Sequence, residues 1–243
     1  MNKNKLTKSI RKLHRKLGIV IGIQLLLWSS GGVIFSWIHI DNVRGDYESV
    51  PKEPISFKSD SILFPLAELF QVSQLKKIYE VKLGYLLDVP VYRLFQNEDE
   101  VEIYDAYSGS LLSPIDEEIA LKIAENDFLS GYGIKKIEMV SDKVGEYKKS
   151  VPAFKISVEH WKNPHIYVHA NSGVITARRN SLWRLYDFFW MLHIMDYNER
   201  VDFNNLLIKG FSLFGVLTVS TGFTLFSLTT PVFRKRRNKK GRV

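Results

Sequence analysis

Two long uncharged apolar runs constrain this chain more than anything else in it. Residues 18–38 read GIVIGIQLLLWSSGGVIFSWI, 21 positions with no charge and with Gln24 as the strongly polar exception. At about 1.5 Å of rise per residue, a helix of that length crosses the roughly 30 Å hydrocarbon core of a bilayer. Residues 206–228, LLIKGFSLFGVLTVSTGFTLFSL, form the second run. Its one charge, Lys209, stands near the start, where the stem can carry the ammonium to the headgroups. Both runs are expected to be membrane-spanning helices.

Charge sets the expected orientation. Seven basic residues from Lys3 to Lys16 precede the first run, and seven from Arg234 to Arg242 follow the second, with no acid in either set. All 26 acidic residues lie in 39–205. Basic flanks stay on the cytoplasmic side. Both termini are therefore expected in the cytoplasm of a bacterium, with a two-pass anchor in its cytoplasmic membrane and residues 39–205 periplasmic or extracellular. A cleavable signal peptide would have a shorter apolar stretch and a small-residue cleavage site, whereas this run leads into Phe35 and Trp37. Buried helices of a soluble protein would not both end in acid-free basic clusters. The formal charge of +8 does not call for nucleic acid, because the basic residues are juxtamembrane and membrane lipids are their natural partner. The absence of cysteine excludes a disulfide framework, thiol catalysis and thiolate-bound metal.

The middle echoes itself. Lys76-Lys77-Ile78-Tyr79-Glu80-Val81 returns as Lys135-Lys136-Ile137-Glu138-Met139-Val140. Pro90-Val91-Tyr92-Arg93-Leu94 returns as Pro152-Ala153-Phe154-Lys155-Ile156, and Asp105-Ala106-Tyr107-Ser108-Gly109 as His169-Ala170-Asn171-Ser172-Gly173. Three blocks in one order define a unit of about 60 residues, present twice. Each copy is expected to open with a helix, Phe64–Leu75 or Ile115–Phe128, the latter with Ser113 as N-cap and Pro114 in its first turn. Three short alternating strands follow, and Ser-Gly at 108–109 and 172–173 makes the turn after the last one. The expected fold class is α+β: two transmembrane helices flanking an extracytoplasmic duplicated domain, each unit a helix plus a small antiparallel sheet. The expected segments are a basic N-terminus at 1–17, spans at 18–38 and 206–228, and a linker at 39–59. Units at 60–112 and 113–180, an aromatic amphipathic segment at 181–205 and a basic tail at 229–243 complete the chain.

These units resemble the PepSY domain, whose pattern is a helix and strands ending in an Asp-Ala-x-Thr/Ser-Gly turn. The first unit keeps it as Asp105-Ala106-Tyr107-Ser108-Gly109, and the second departs with His169 in the Asp position. Leu13-His14-Arg15-Lys16-Leu17-Gly18 and Trp190-Met191-Leu192-His193, each preceding a span, are similar to the PepSY-associated transmembrane family. The resemblance implies one of two roles. The first is a haem b-binding accessory for ferric-iron or siderophore reduction. The second is a non-catalytic binding or peptidase-regulating module with a protein or peptide ligand. Two spans do not make a four-helix haem bundle, so the first role implies a homodimer or a membrane partner subunit.

The residue candidates for cofactor binding are His193, His39 and His14. His14 and His39 are 25 residues apart, about 37 Å along a helix, and cannot share an iron. His193 belongs to an expected aromatic helix at the outer interface, where His39 would meet it and complete a pair of axial imidazoles. His160, His165 and His169 form a second cluster, expected to be a solvated hairpin rather than a metal site. Gly18 and Gly22, and Gly215, Ser220 and Gly222, are expected to let helices pack closely. Arg184 with Asp187, and Arg200 with Asp202, are expected as local ion pairs. No nucleophile elbow, HExxH helix, phosphate loop or dinucleotide fingerprint occurs, so an autonomous enzyme is not expected and no catalytic or metal-ligating residue is assigned.

Overall fold

A computed structural model describes residues 3–51, 56–57, 63–128, 132–143 and 145–230. The expected basic tail lies outside the described residues from 231 onward, as do 52–55 and 58–62 of the expected linker and first unit. The chain divides into two compact units, Met1–Ile38 with Leu185–Val243, and His39–Arg184.

The first unit is helical. Helix α1 (Lys3–Trp37) and the last helix, α6 (Leu206–Thr229), pack on each other. In their most apolar windows, of mean hydropathy 1.9 and 1.6, only 17% and 0% of positions are buried. A core helix of a soluble protein hides such a surface, whereas these two leave it exposed. Both helices are long and apolar enough to cross a membrane. The side chain of Asn205 caps α6 by accepting the Ile208 N–H at 3.0 Å.

Within this chain the small residues of the two spans differ in what they meet. A Cβ on Gly18, Gly22 or Gly215 would meet nothing within 4 Å, so these positions are open within the chain. Gly222 is not: a Cβ there would come 3.2 Å from the ring of His14. Helix α5 spans Ser181–Ile194. From Leu185 on it runs beside α1, with the Tyr186 ring tilted against Phe35, Phe189 beside Gly31, and its end at the level of Gln24. The last carbonyls of a helix have no partner within it. Here Gln24 donates to the Leu192 carbonyl, Trp28 to that of His193 and Asn205 to that of Ile194. That explains the polar residue of the first span: Gln24 is buried because it finishes another helix.

In the second unit, β1 (Glu80–Leu86), β2 (Val89–Phe95) and β3 (Val101–Asp105) form an antiparallel sheet in that order. Side chains alternate across it. Tyr92, Leu94 and Tyr104 pack on Leu69 of the short helix α3 (Leu66–Val72). Leu86, Val91 and Ile103, on the opposite face, enter a core shared with α4 (Glu117–Asp127) and the second sheet.

That second sheet has the order β4 (Ile134–Val140), β5 (Ala153–Val158), β6 (His165–His169) and β7 (Val174–Arg179). The fourth strand was not expected: Ser172-Gly173 joins β6 to β7 instead of ending the unit. Helix α4 begins later than expected as well. Asp116 is its N-cap, accepting the Ile119 N–H at 2.8 Å, while the Ser113 hydroxyl accepts the Ile103 N–H at 3.0 Å. Part of the expected linker is structured, with α2 at Ile40–Arg44 and a 3-10 turn at Asp46–Glu48. Asn180 donates to the Asn42 carbonyl, and Lys162 pairs with Glu48.

The two strand-ending turns share a main-chain pattern. Ala106 N–H bonds the Pro90 carbonyl at 2.8 Å and Ala170 N–H bonds that of Pro152 at 2.9 Å. Phe64 N–H reaches the Ala106 carbonyl, and Ile115 N–H that of Ala170. Gly109 and Gly173 close the turns onto Asp105 and His169 with φ of 72° and 63°, a region that favours glycine.

Candidate functional site

The alternation of β2 puts Arg93 on the sheet face away from α3, between the two sheets, where it is only 8% exposed. Its Nε donates to the Ser172 carbonyl at 2.7 Å and its Nη2 to the Tyr85 carbonyl at 2.9 Å. Among the described residues no carboxylate lies within ion-pairing distance of it. Burial lowers the pKa of this guanidinium, and no acid counters that burial. A guanidinium has five N–H donors, and the two carbonyls use only part of them.

Ser172 holds a second buried group. Its hydroxyl is 2.9 Å from Nδ1 of His169, a residue 1% exposed. His169 Nε2 has no hydrogen-bond partner among the described residues. Burial lowers the His169 pKa, opposed by the charge of Asp99 and by main-chain groups of Val151 and Asp99 beside the ring, and favours the neutral imidazole. A neutral ring that accepts the Ser172 proton at Nδ1 carries its own proton on Nε2 and presents a donor there. One residue, Ser172, thus touches both a cation without an anion among the described residues and an imidazole whose Nε2 has no hydrogen-bond partner within 3.5 Å there. Both groups line a cavity of about 640 Å³, with Ser150, Thr176 and, from the edge strand β1, Lys82. Lys82 is paired with Glu80 at 3.0 Å. A second cavity of about 920 Å³, reaching Asp88 and Asp127, also borders Arg93.

A polar cluster stands elsewhere on the second sheet. Glu146 receives hydrogen bonds from Arg184 at 2.7 Å and Tyr167 at 2.9 Å, and pairs with His165. Burial works to raise its pKa, but these donors prevail and hold it at about 2. The expected pairing of Arg184 with Asp187 is therefore replaced by Arg184 with Glu146. Asp187 pairs with Arg200 instead, so Arg200 does not take Asp202 as expected. Asp196 accepts the N–H groups of Asn198, Glu199, Val201 and Asp202, which lower its pKa to about 2 and shape the loop before α6.

The histidines expected for haem fall in separate settings. His14 Nδ1 lies 3.1 Å from the Thr218 carbonyl and 2.9 Å from the Thr221 hydroxyl. His193 stacks on Trp190 and contacts Trp28 and Phe35. Trp28 and His14 are 14 residues apart on α1, about 21 Å, so His14 and His193 do not fit a haem iron that takes both. His39 belongs to the other unit, where it accepts the Asp41 N–H and caps α2. His160 packs among Phe128, Tyr132 and Trp161, and His165 is engaged with Glu146.

The expectations for this region missed Arg93 and Ser172. The available signal was an arginine inside the apolar stretch Val91–Leu94, whose counterpart in the second block is also a cation, Lys155. His169 is the departure from the turn pattern and is expected in a solvated hairpin; in the fold it is buried.

Residues 114–179 match the PepSY family, described as peptidase propeptide and YPEB domain. The match covers α4 and β4 to β7, with His169 and Ser172 inside it and Arg93 outside. No curated protein and no solved structure matches the chain. The chain thus carries a PepSY domain at 114–179, together with two helices long and apolar enough to cross a membrane.

Proposed function

We propose that this protein is a membrane-anchored binding module, its α+β unit held outside the cytoplasmic membrane by two spans whose basic ends are cytoplasmic. The carrying observation is Arg93: a buried guanidinium with no acid beside it among the described residues, bordering open cavities, is a charge kept for a partner in this reading. Residues 60–112 form a second PepSY-like unit in this reading, supported by the paired turn bonds at Pro90 and Pro152 and at Ala106 and Ala170. The ligand is a protein or peptide.

A photo-crosslinking residue at Lys82 of the full chain tests binding in cells. A discrete adduct that disappears with Arg93→Gln is expected; an adduct indifferent to that substitution, or none, contradicts the reading. Orientation is tested by single introduced thiols, with no native cysteine to interfere. Labelling of Glu98→Cys in intact cells by an impermeant reagent, with Lys239→Cys protected, is expected, and the reverse pattern overturns it.

Haem-dependent electron transfer is the competing reading. Because His14 and His193 do not serve one iron, it needs a second ligand from His39 or from another chain, as dimer or partner subunit. A reduced-minus-oxidised spectrum of the purified protein decides it: a haem α-band supports this reading, and a flat spectrum after growth with haem precursors removes it.

A further inference from the structure

Resting on the binding reading, we propose that the 640 Å³ cavity takes the carboxylate of an extended peptide laid along β1. One carboxylate oxygen accepts from Arg93 and the other from His169 Nε2. Three observations converge on this ligand.

The first is hydrogen-bonding type. Arg93 is donor-only, and in the tautomer whose Nδ1 accepts the Ser172 proton the open Nε2 of His169 is a donor as well. An ionised carboxylate is acceptor-only, with two oxygens, and forms its strongest contacts with a guanidinium.

The second is charge. Arg93 is the cation of the cavity without an acid, while Lys82 is already paired with Glu80. Glu98 also lines the cavity. One unpaired cation facing those acids fits a single negative charge; a phosphate dianion would bring one charge too many.

The third is the shape of the lining. Tyr79, Glu80, Lys82 and Leu83 bring β1 to the cavity, and among the described residues β1 pairs on one side only, with β2. A strand edge offers main-chain donors and acceptors to an extended peptide, while a pocket beside it reads one side chain or terminus. The volume falls within the range of small-ligand sites, enough for a few residues.

The test uses the full chain in nanodiscs and a fluorescent hexapeptide of alternating valine and threonine. It is offered as the C-terminal acid, as the C-terminal amide, and as amides carrying one internal glutamate or glutamine. The expected result is binding of the acid at least about tenfold tighter than the amide, lost with Arg93→Gln and partly kept with Arg93→Lys. If the glutamate amide binds and the plain acid does not, a side-chain carboxylate is the one recognised. Ser172→Ala, which keeps the main-chain carbonyl under Arg93, is expected to weaken acid binding several-fold. It serves as the second variant should Arg93→Gln not fold. Equal binding of acids and amides overturns the carboxylate and leaves the binding module standing. No peptide binding, with the Lys82 adduct still formed in cells, overturns the peptide; loss of that adduct as well overturns the module itself.

Discussion

Arg178 and Arg93 lie in the same α+β unit, both largely out of water, and are held in opposite ways. Arg178, on β7, grips Asp127 at the end of α4 with two charge-assisted bonds, the Nε one 2.6 Å long, and Asp46 stands 3.7 Å away. Asp127 is 6% exposed. Arg93 receives two main-chain carbonyls and no acid. A buried cation needed for folding comes with its anion, as Arg178 does, because the desolvated charge is otherwise costly. The difference separates a cation that ties a helix to a sheet from one retained for a partner.

Stability measurements can break this comparison. Asp127→Ala strands Arg178 and is expected to cost about 3–5 kcal/mol in thermal or denaturant unfolding. Arg93→Met removes an uncompensated charge and leaves two carbonyls without donors, for about 1–2 kcal/mol. Equal losses would make Arg93 another structural arginine.

The turns come next. A Cβ on Gly173 would stand 2.5 Å from Leu86 in the buried core, and on Gly109 2.7 Å from the Phe64 ring, with φ positive at both. Gly173→Ala is expected to cost about 2–3 kcal/mol through overpacking and backbone strain. Gly109→Ala should cost less, because its turn lies nearer the surface; denaturant midpoints of the two variants check the order.

A third arginine, Arg184, sharpens the pairing rule through pH. Glu146 titrates at about 2 in the fold against an ordinary 4.5, so the unfolded chain binds the proton first on acidification. The stabilisation is complete above about pH 5 and is lost as pH falls through 4.5 toward 2. Unfolding free energies measured across that window should fall by about 2 kcal/mol, and Glu146→Gln should flatten the acid limb.

The smallest effect is expected at Asp105. Its carboxylate accepts the Tyr107 and Ser108 N–H groups at 2.8 Å, and these bonds, Ser108 foremost, lower its pKa. The amide in Asp105→Asn keeps an acceptor oxygen, so a loss under about 1 kcal/mol is expected by chemical denaturation.

Much of the architecture is legible in the amino-acid sequence. Hydropathy marks the two long helices, and alternation with the echoed blocks marks the strands as far as β6. What escaped reading depends on contacts distant in sequence. Gln24 reads as a blemish in an apolar run, yet it caps α5 from 168 residues away. The strand 174–179 ends in two arginines and reads as a surface segment until Asp127 is placed beside Arg178. Arg184 and Asp187 are neighbours along the chain, but Glu146 and Arg200 out-compete that local pairing. The candidate cleft was the least legible part, because Arg93 and Ser172 are 79 positions apart and meet through a carbonyl that any residue would carry.

The central claim is that Arg93 and His169 together await an acceptor. The most direct measurement is the ¹⁵N resonance of His169 Nε2 in the histidine-labelled full chain, assigned by its loss in His169→Phe, before and after addition of the hexapeptide acid. A protonated Nε2 that shifts on adding the acid, and stays unmoved by the amide, is the predicted result. A resonance that is the same in all three samples, at peptide concentrations where binding is saturated, would contradict the account.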